Sequence, residues 1–278
     1  MKFNVLYTIV YANLRNYIRG SVYSLLIPIT LFLLMQLIYS FITSQFHVNS
    51  MASLMPGSGM TSYVRLDTGK DISIHDYTYS VGMLIILFQA SLMSVQQTIL
   101  KIRSSGYLKY MFIGNVSNNT FIFGFFLYGI ILAGLIFTAI QLVFAPFILP
   151  YFRYSFYLLV TLISYAGLLT MMALFCALII NSQIVMGFIN AFVNLFLMFT
   201  SGFFIGKEKF SSIPIINNLF EYNPLYHLVL QFRSFYFGFY QDNWLTSILF
   251  AGGVALILWV LCLLRLRFGR QAVILNAI

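Results

Sequence analysis

Long apolar runs, separated by short polar segments, set the pattern of this chain. A helix needs about 20 consecutive apolar residues to cross the hydrocarbon core of a membrane. Six runs reach that length, at roughly 21–42, 79–100, 119–145, 155–180, 184–205 and 244–264. The pattern therefore predicts an all-α membrane protein, in which residues 21–278 form a single domain of six transmembrane helices.

The first 20 residues follow a different pattern, because apolar side chains recur there every three or four residues with polar or basic ones between them. The apolar positions are Phe3, Leu6, Val10, Leu14 and Ile18. This spacing predicts an amphipathic helix over residues 1–20 that lies in the membrane interface, with its basic residues toward anionic headgroups. The alternative is that these residues are simply the polar start of the first span.

The stretch between the fifth and sixth runs is too polar to face lipid and too apolar for an ordinary solvated loop. It contains the charged run 207–209 and then two prolines, Pro214 and Pro224. Irregular backbone at membrane depth is tolerated only where protein or a water-filled cavity covers it. We therefore predict a re-entrant hairpin over residues 206–243. Proline disfavours helix at the preceding residue, so one short helix is expected to end at Asn223 and another to begin at Pro224.

The composition agrees with a membrane protein. The chain is 61% hydrophobic and 8% charged, with a mean hydropathy of +0.92, whereas soluble domains have about 25% charged residues. Cys176 and Cys262 both fall within apolar runs. We interpret them as small buried residues, with no disulfide framework and no metal cluster.

The distribution of charge predicts the orientation in the membrane. With six spans, the N terminus, the loop between the second and third spans and the C-terminal tail all lie on one side. These regions hold nine of the 15 basic residues, while all six acidic residues fall on the other side. Lys and Arg are enriched on the cytoplasmic side, so both termini are expected in the cytoplasm and the loop at 43–78 outside. The net charge of +9 then indicates membrane orientation and not a nucleic-acid partner.

Several kinds of chemistry are missing from the sequence. It has no G-x-x-x-x-G-K-[ST] motif, so the chain is not expected to bind ATP through a P-loop. No acidic residue falls inside a predicted span, which argues against a carrier coupled to protons or sodium ions. The histidines, His47, His75 and His227, lack the spacing of a metal site. We expect no catalytic residue and no bound metal; an enzyme would have to use His75 with Asp76 or His227 with Glu221.

The loop between the second and third spans carries a family motif. It reads I-L-K-I-R-S-S-G-Y-L-K-Y-M-F-I-G-N-V-S over residues 99–117, which predicts two short amphipathic helices with a glycine between them. This segment resembles the run E-R-E-x-G-T-x-x-x-L-x-x-x-P-V-S of ABC-2 type transporter permeases. Gly106 matches the family glycine, and Val116-Ser117 match the V-S that opens the third span. Basic residues stand where the family has acids, and Asn115 stands for the proline.

In that family the loop is the coupling helix, which docks in a groove of the ATPase subunit. The resemblance implies the same role for the loop at 100–118 of this chain. The residues expected to face the ATPase are Lys101, Arg103, Gly106, Tyr107 and Lys109.

A second match follows the fifth span. There the chain resembles the family's S-G-x-x-x…P…N-P-L-x-x…R run, which forms a pair of short re-entrant helices on the outer side before the last span. The hairpin residues that this resemblance implies are Gly202, Pro214, Glu221, Asn223, Pro224 and Arg233.

The resemblance also implies a function and partners. The chain is expected to be the permease subunit of an ABC exporter in the cytoplasmic (inner) membrane of a bacterium. A second permease, either an identical copy or a paralogue, is the expected membrane partner. A separate P-loop ATPase is expected to bind ATP and Mg²⁺, and this chain itself is expected to hold no cofactor.

The fifth span is the predicted wall of the translocation pathway. Asn190 and Asn194 are four residues apart and share one helix face, and Phe196 and Thr200 complete the predicted pathway residues. Such an uncharged wall suits an amphipathic or hydrophobic cargo, such as a drug, a peptide or a lipid. Three alternatives stay open: a permease for a lipid-linked polysaccharide, a membrane enzyme or carrier outside the ABC class, and a non-transporting immunity or scaffold subunit. The asparagines alternatively hydrogen-bond between helices.

Overall fold

The computed structural model describes residues 7–15, 63–65, 71–106, 116–144, 152–180, 183–203 and 213–275. Residues 7–15 are helical and are called α1. The later elements are β1 (Tyr63–Arg65), β2 (Asp71–Ser73), α2 (Ile74–Ser104), α3 (Asn118–Phe144), a 3-10 turn (Phe152–Tyr154), α4 (Ser155–Ile179), α5 (Gln183–Thr200), α6 (Pro214–Glu221), α7 (Pro224–Tyr236) and α8 (Trp244–Leu275).

Four helices in this part of the chain are long and apolar enough to cross a membrane. They are Tyr79–Ser104 in α2, Asn118–Leu142 in α3, Ser155–Ile179 in α4 and Trp244–Phe268 in α8. They correspond to the second, third, fourth and sixth predicted spans, and α5 corresponds to the fifth. The predicted span at 21–42 lies outside the described residues. The all-α membrane fold is thus confirmed, and the count of six spans stays a prediction.

Helix α4 is the centre of the bundle and packs against α2, α3, α7 and α8. Its contact with α3 is close because small residues face large ones across it. A Cβ atom added at Gly129 of α3 would lie 2.0 Å from Oγ1 of Thr170. One added at Gly167 of α4 would lie 2.9 Å from the ring of Phe126. The two glycines therefore allow the two backbones to approach closely, as small residues do in membrane helix pairs.

Helix α1 contacts α3 at Ile9. Ile9 is buried, and its Cγ2 lies 3.0 Å from where a Cβ atom at Gly124 would be. The predicted apolar stripe ran through Val10, which is only half-buried. Leu14, another position of the predicted stripe, is half-buried and packs against the core, and the interfacial position of this helix stays a prediction. The remainder of the predicted helix over 1–20 lies outside the described residues.

The structure corrects three predicted boundaries. Helix α2 begins at Ile74, inside the loop predicted at 43–78, and β1 and β2 in that loop form an antiparallel hairpin with Val64 opposite Ile72. Helix α5 ends at Thr200 and not near 205. Helix α8 continues to Leu275, beyond the predicted end at 264, because a helix can extend past the bilayer into the polar headgroups.

Candidate functional site

The end of α5 is a break in the backbone at a glycine. Gly202 has a φ of +70°, a left-handed conformation that a residue with a Cβ atom adopts only at a cost. The backbone N–H groups of Ser201 and Gly202 still bond back to Leu197 and Phe199. The chain therefore leaves the helix axis at this point, as at a glycine C-cap.

Asn223 joins this break to the start of α7. Its Oδ1 accepts a hydrogen bond of 2.9 Å from the backbone N–H of Leu225, so it caps α7, and Pro224 occupies the first turn. Its Nδ2 donates to Oγ1 of Thr200 at 2.9 Å and to Oγ of Ser201 at 3.2 Å. One buried amide thus ties the end of α5 to the beginning of α7. Helix α7 begins at Pro224 as predicted, whereas α6 ends at Glu221, two residues before the predicted end at Asn223. The re-entrance of the two helices into the membrane stays a prediction.

Arg233 makes a second connection between the same elements. Its guanidinium group donates to the carbonyl oxygens of Gly202 at 2.8 Å and Phe203 at 2.9 Å. It also lies 4.6 Å from the ring centroid of Tyr77 in α2, whose hydroxyl donates to Phe203 O at 3.3 Å. The side chain is 4% exposed. Carbonyl oxygens and an aromatic face both favour a cation. These contacts therefore stabilise the buried charge of Arg233, although none of them is with a carboxylate.

A polar cluster deeper in the bundle was not predicted from the sequence. Nε2 of Gln141 in α3 donates to the hydroxyl groups of Tyr236 in α7, at 3.1 Å, and of Tyr79 in α2, at 3.4 Å. Both tyrosines are 1% exposed, so the cluster fixes α7 to the body of the bundle. The sequence did contain a signal for this cluster. Gln141 is an amide within an apolar span, and polar side chains in a span face neighbouring helices.

The predicted pathway residues are not all in one environment. Thr200 is buried in the joint with Asn223, whereas Phe196, one turn earlier, is 44% exposed. The side chains of Asn190 and Asn194 lie outside the described residues. Helix α5 nevertheless exposes a long apolar stripe, formed by Ile184, Val185, Phe188, Phe192, Leu195, Phe196 and Phe199.

The predicted coupling residues that the structure describes, Lys101, Arg103 and Gly106, lie at the opposite end of the bundle. Helix α2 ends at Ser104, and Gly106 follows it with a φ of +70° and open space around its Cα. Lys101 is exposed, whereas Arg103 donates to the carbonyl oxygens of Ala177 and Ile180 at the end of α4. Tyr107 and Lys109 lie outside the described residues.

The third span opens where the family pattern places it. Oγ of Ser117 accepts a hydrogen bond of 3.1 Å from the backbone N–H of Thr120, so Ser117 caps the N terminus of α3. A serine at this position satisfies one of the orphan donors of the first turn. The V-S motif of the sequence is therefore a helix start.

Of the two acid–base pairs that an enzyme would have to use, the side chains of His75 and Asp76 lie outside the described residues. The contact that the structure shows between His227 and Glu221 is with the backbone of Glu221 and not with its carboxylate. Nε2 of His227 lies 2.8 Å from the backbone carbonyl oxygen of Glu221. Nδ2 of Asn217 donates to Oε1 of Glu221 at 3.5 Å, a long bond on the surface. Among the residues that the structure describes, no group of three or more His, Cys, Asp and Glu side chains is placed to hold a metal ion.

Long apolar helices, close helix crossings and a polar joint between two short helices define a multi-pass α-helical membrane protein. The model of the ABC-2 type transporter family matches residues 4–237, from the start of the chain to the end of α7. The chain belongs to the ABC-2 type transporter family and is a permease subunit of an ABC transporter. Neither the comparison with curated proteins nor that with solved structures gives a match.

Proposed function

We propose that this permease exports an amphipathic or hydrophobic cargo and is driven by a separate ATPase subunit. The observation that carries the proposal is the family match over residues 4–237. The membrane domain of this family is the transmembrane component and is not itself catalytic. Family membership also argues against a carrier or a membrane enzyme outside the ABC class.

The loop at 100–118 is proposed to receive the movement of the ATPase. Lys101 is exposed at the end of α2, and the left-handed Gly106 turns the chain there; Tyr107 and Lys109 follow in the sequence. Arg103 bonds to the end of α4, so its proposed role is to hold the base of the loop against the central helix. A push on the loop would then move α2 and α4 together as a rigid body.

The nature of the cargo is proposed from α5. Its exposed stripe contains four phenylalanines, Phe188, Phe192, Phe196 and Phe199, and the described part of this helix carries no charged residue. An apolar wall of this kind favours hydrophobic groups, whereas a polyanionic polysaccharide would be expected to meet basic side chains. In this proposal the stripe and the hairpin of α6 and α7 form the pathway of a permease dimer, with both termini in the cytoplasm of a bacterium.

The test is to purify the tagged full-length chain from its native host in mild detergent and identify the proteins that accompany it. We expect a P-loop ATPase of the ABC type in stoichiometric amount, with ATP hydrolysis that vanadate inhibits. If the chain purifies without an ATPase after gentle crosslinking of whole cells, the ATP-driven mechanism is wrong.

The cargo class is tested with inverted membrane vesicles that contain the complex. We expect ATP-dependent accumulation of a lipophilic fluorescent dye, and its loss when Phe192→Gln places an amide on the stripe. Leu249→Gln, at an equally apolar and exposed position on α8, is the control and should not affect accumulation. ATP-dependent movement of a lipid-linked glycan without dye transport would support the polysaccharide alternative instead.

A further inference from the structure

Five aromatic rings form one cluster at the end of the bundle where α4 and α8 begin; they belong to Tyr154, Tyr157, Phe235, Tyr240 and Trp244. The ring centroid of Tyr157 lies 5.0 Å from that of Trp244 and 5.3 Å from that of Phe235. The ring centroid of Tyr240 lies 5.7 Å from that of Tyr157 and 6.1 Å from that of Tyr154. Phe235 is completely buried, whereas Tyr240 is 50% exposed. The aromatic cluster therefore packs α7 against α4 and α8 and presents one side at the surface.

The aromatic cluster lies where the surface of the bundle changes from apolar to charged. Just inside the two helices, the exposed side chains include Leu159 of α4 and Leu245 of α8. Just before the helices, they include Arg153 and Asp242. Tyrosine and tryptophan are enriched where a span meets the lipid headgroups, and α4 and α8 are both long and apolar enough to cross the membrane. The cluster is therefore expected at the depth of the headgroups.

Two opposite charges lie at the edges of the aromatic cluster. The guanidinium carbon of Arg153 is 5.9 Å from the ring centroid of Tyr154, and the side chain remains exposed. Asp242 is also exposed and is two residues away from both Tyr240 and Trp244 in the sequence. The rings of Tyr154 and Tyr240 are neighbours, so a cation, aromatic rings and an anion follow one another along this surface.

This combination fits a ligand that carries both a phosphate and an ammonium group. Arginine binds phosphate through its paired N–H donors. The electron-rich faces of tyrosine and tryptophan attract an ammonium group, and the carboxylate of Asp242 has the complementary charge. A headgroup with a phosphate and no ammonium group would be repelled by Asp242, which offsets its attraction to Arg153.

We propose that the aromatic cluster binds the headgroup of a zwitterionic phospholipid, with its phosphate at Arg153 and its ammonium group near Tyr240 and Asp242. Free phosphoethanolamine or phosphocholine has the same chemistry, but the exposed leucines beneath the cluster offer an apolar surface to acyl chains and favour the lipid. Because Phe235 belongs to both the cluster and α7, the bound headgroup would hold the end of α7 against the bundle. The proposal goes beyond the proposed function and depends on neither the cargo nor the ATPase.

Trp244 is a natural reporter inside the aromatic cluster. The chain has two tryptophans, so Trp259→Phe leaves Trp244 as the only one. Bromine atoms on acyl chains quench tryptophan fluorescence at short range. The full-length protein is reconstituted in bilayers of equal parts phosphatidylethanolamine and phosphatidylglycerol, in which only one of the two lipids is brominated. The bulk composition is then identical, so a difference in quenching measures which lipid is enriched beside Trp244.

We expect phosphatidylethanolamine to be preferred about threefold, the scale of one exposed cation–aromatic or ion-pair contact. Asp242→Asn and Tyr240→Leu should each lower the preference, and the double variant should abolish it. Glu221→Gln is the matched control, because it removes the same charge from the exposed end of α6, outside the cluster, and it should leave the preference unchanged. Each ratio is measured within one variant, so differences in the intrinsic emission of Trp244 cancel.

The phosphate contact is tested with brominated diacylglycerol, which has the same acyl chains and no phosphate. As a minor component of the bilayer, it should quench Trp244 less than an equal amount of brominated phosphatidylethanolamine. Arg153→Gln should reduce this difference, because it removes the proposed phosphate donor. An undiminished difference in Arg153→Gln would show that Arg153 does not bind the phosphate.

Four further results would overturn the proposal. Equal quenching of the Trp259→Phe protein by both phospholipids would show no selection, and this result needs no variant of the cluster. An equal loss of preference in Asp242→Asn and Glu221→Gln would indicate diffuse surface charge. Loss of the preference with millimolar phosphoethanolamine in solution, at constant ionic strength, would indicate a site for the free headgroup. Absence of quenching by both lipids would place the cluster outside the bilayer, with another protein as its occupant.

Discussion

At the scale of single residues, Arg233 and Asn223 decide how the end of α5 is held. Both are buried, and both reach the same short turn from opposite ends of α7. Arg233 bonds to the carbonyl groups that the broken helix exposes, while Asn223 bonds to the hydroxyl groups beside them. A buried polar network is stabilising only when its members are satisfied together, so each of these side chains is expected to be sensitive to substitution.

Replacement of Arg233 tests the first of these contacts. Arg233→Met removes the donor to the buried carbonyl group of Gly202 and one of the two donors to that of Phe203. It should lower the free energy of unfolding by about 3 kcal/mol, as for loss of buried charged hydrogen bonds. Arg233→Lys should cost less because one donor can be kept. The measurement is thermal unfolding in detergent, followed by a thiol-reactive dye that reports exposure of Cys176 and Cys262.

The matched control is Arg153→Met, because Arg153 is exposed and has a ring contact of 5.9 Å with Tyr154. It should change the unfolding temperature very little. Equal unfolding temperatures for the two methionine variants would show that the bonds of Arg233 do not stabilise the turn.

Asn223 and Thr200 are expected to act as a pair. In a double-mutant cycle of Asn223→Ala and Thr200→Val, the coupling energy should be about 1 kcal/mol, the net contribution of one buried hydrogen bond. The hydrogen bond from the backbone N–H of Leu225 to Asn223 is lost whenever Asn223 is replaced, with or without Thr200→Val. Its energy therefore cancels in the cycle. A cycle with Thr138→Val, whose hydroxyl bonds to Gly134 within α3, should be additive; similar coupling in both cycles would argue against the link.

At the scale of elements, the crossing of α3 and α4 depends on a position without a side chain. The Cβ atom of an alanine at Gly129 would overlap Oγ1, Cγ2 and Cβ of Thr170, at 2.0, 2.8 and 2.9 Å. Gly129→Ala should therefore lower stability by about 1–3 kcal/mol, the usual cost of overpacking, although alanine favours helix. Thermal unfolding measures this change.

Two further variants make this prediction specific. Thr170→Ala removes two of the three overlapping atoms, so it should recover part of the loss caused by Gly129→Ala. Gly134→Ala, on the same helix with open space around it, should be neutral or slightly stabilising because of helix propensity. A loss of stability in both glycine variants alike would contradict the close crossing.

The elements also show where sequence patterns predict well and where they do not. Length and hydropathy located α2, α3, α4, α5 and α8, and Asn223-Pro224 predicted the junction of α6 and α7. The burial of Ile9 was not predicted, because it depends on a contact with α3 at Gly124, far away in the sequence. The cluster of Gln141 with Tyr79 and Tyr236 was missed because it joins three helices that are far apart in the sequence.

At the scale of the whole molecule, the proposed coupling depends on the turn at Gly106. Gly106→Pro requires a φ near −65° where the chain has +70°, so the loop must change its path. We expect loss of ATP-dependent transport in vesicles, with normal insertion as judged by protein level in the membrane. Gly106→Asn is the control, because asparagine tolerates the left-handed conformation, and it should retain most of the transport.

If Gly106→Pro transports as well as the parent protein, the loop does not couple the permease to the ATPase. That result would leave the family membership untouched and would move the search for the docking surface to other segments on the same side. If both variants lose transport equally, side-chain bulk at the turn, and not its backbone conformation, is what matters.

The sequence by itself determined that this protein is helical and lies in a membrane, because apolar runs of bilayer length leave no other way to satisfy the backbone. It also indicated the family, through ordered local motifs. Only the tertiary structure decided which polar groups meet. Arg233 binds the broken end of α5, and Arg103 and Arg265 converge on the end of α4. Such partners are set by helix packing, which brings together residues that no local pattern relates.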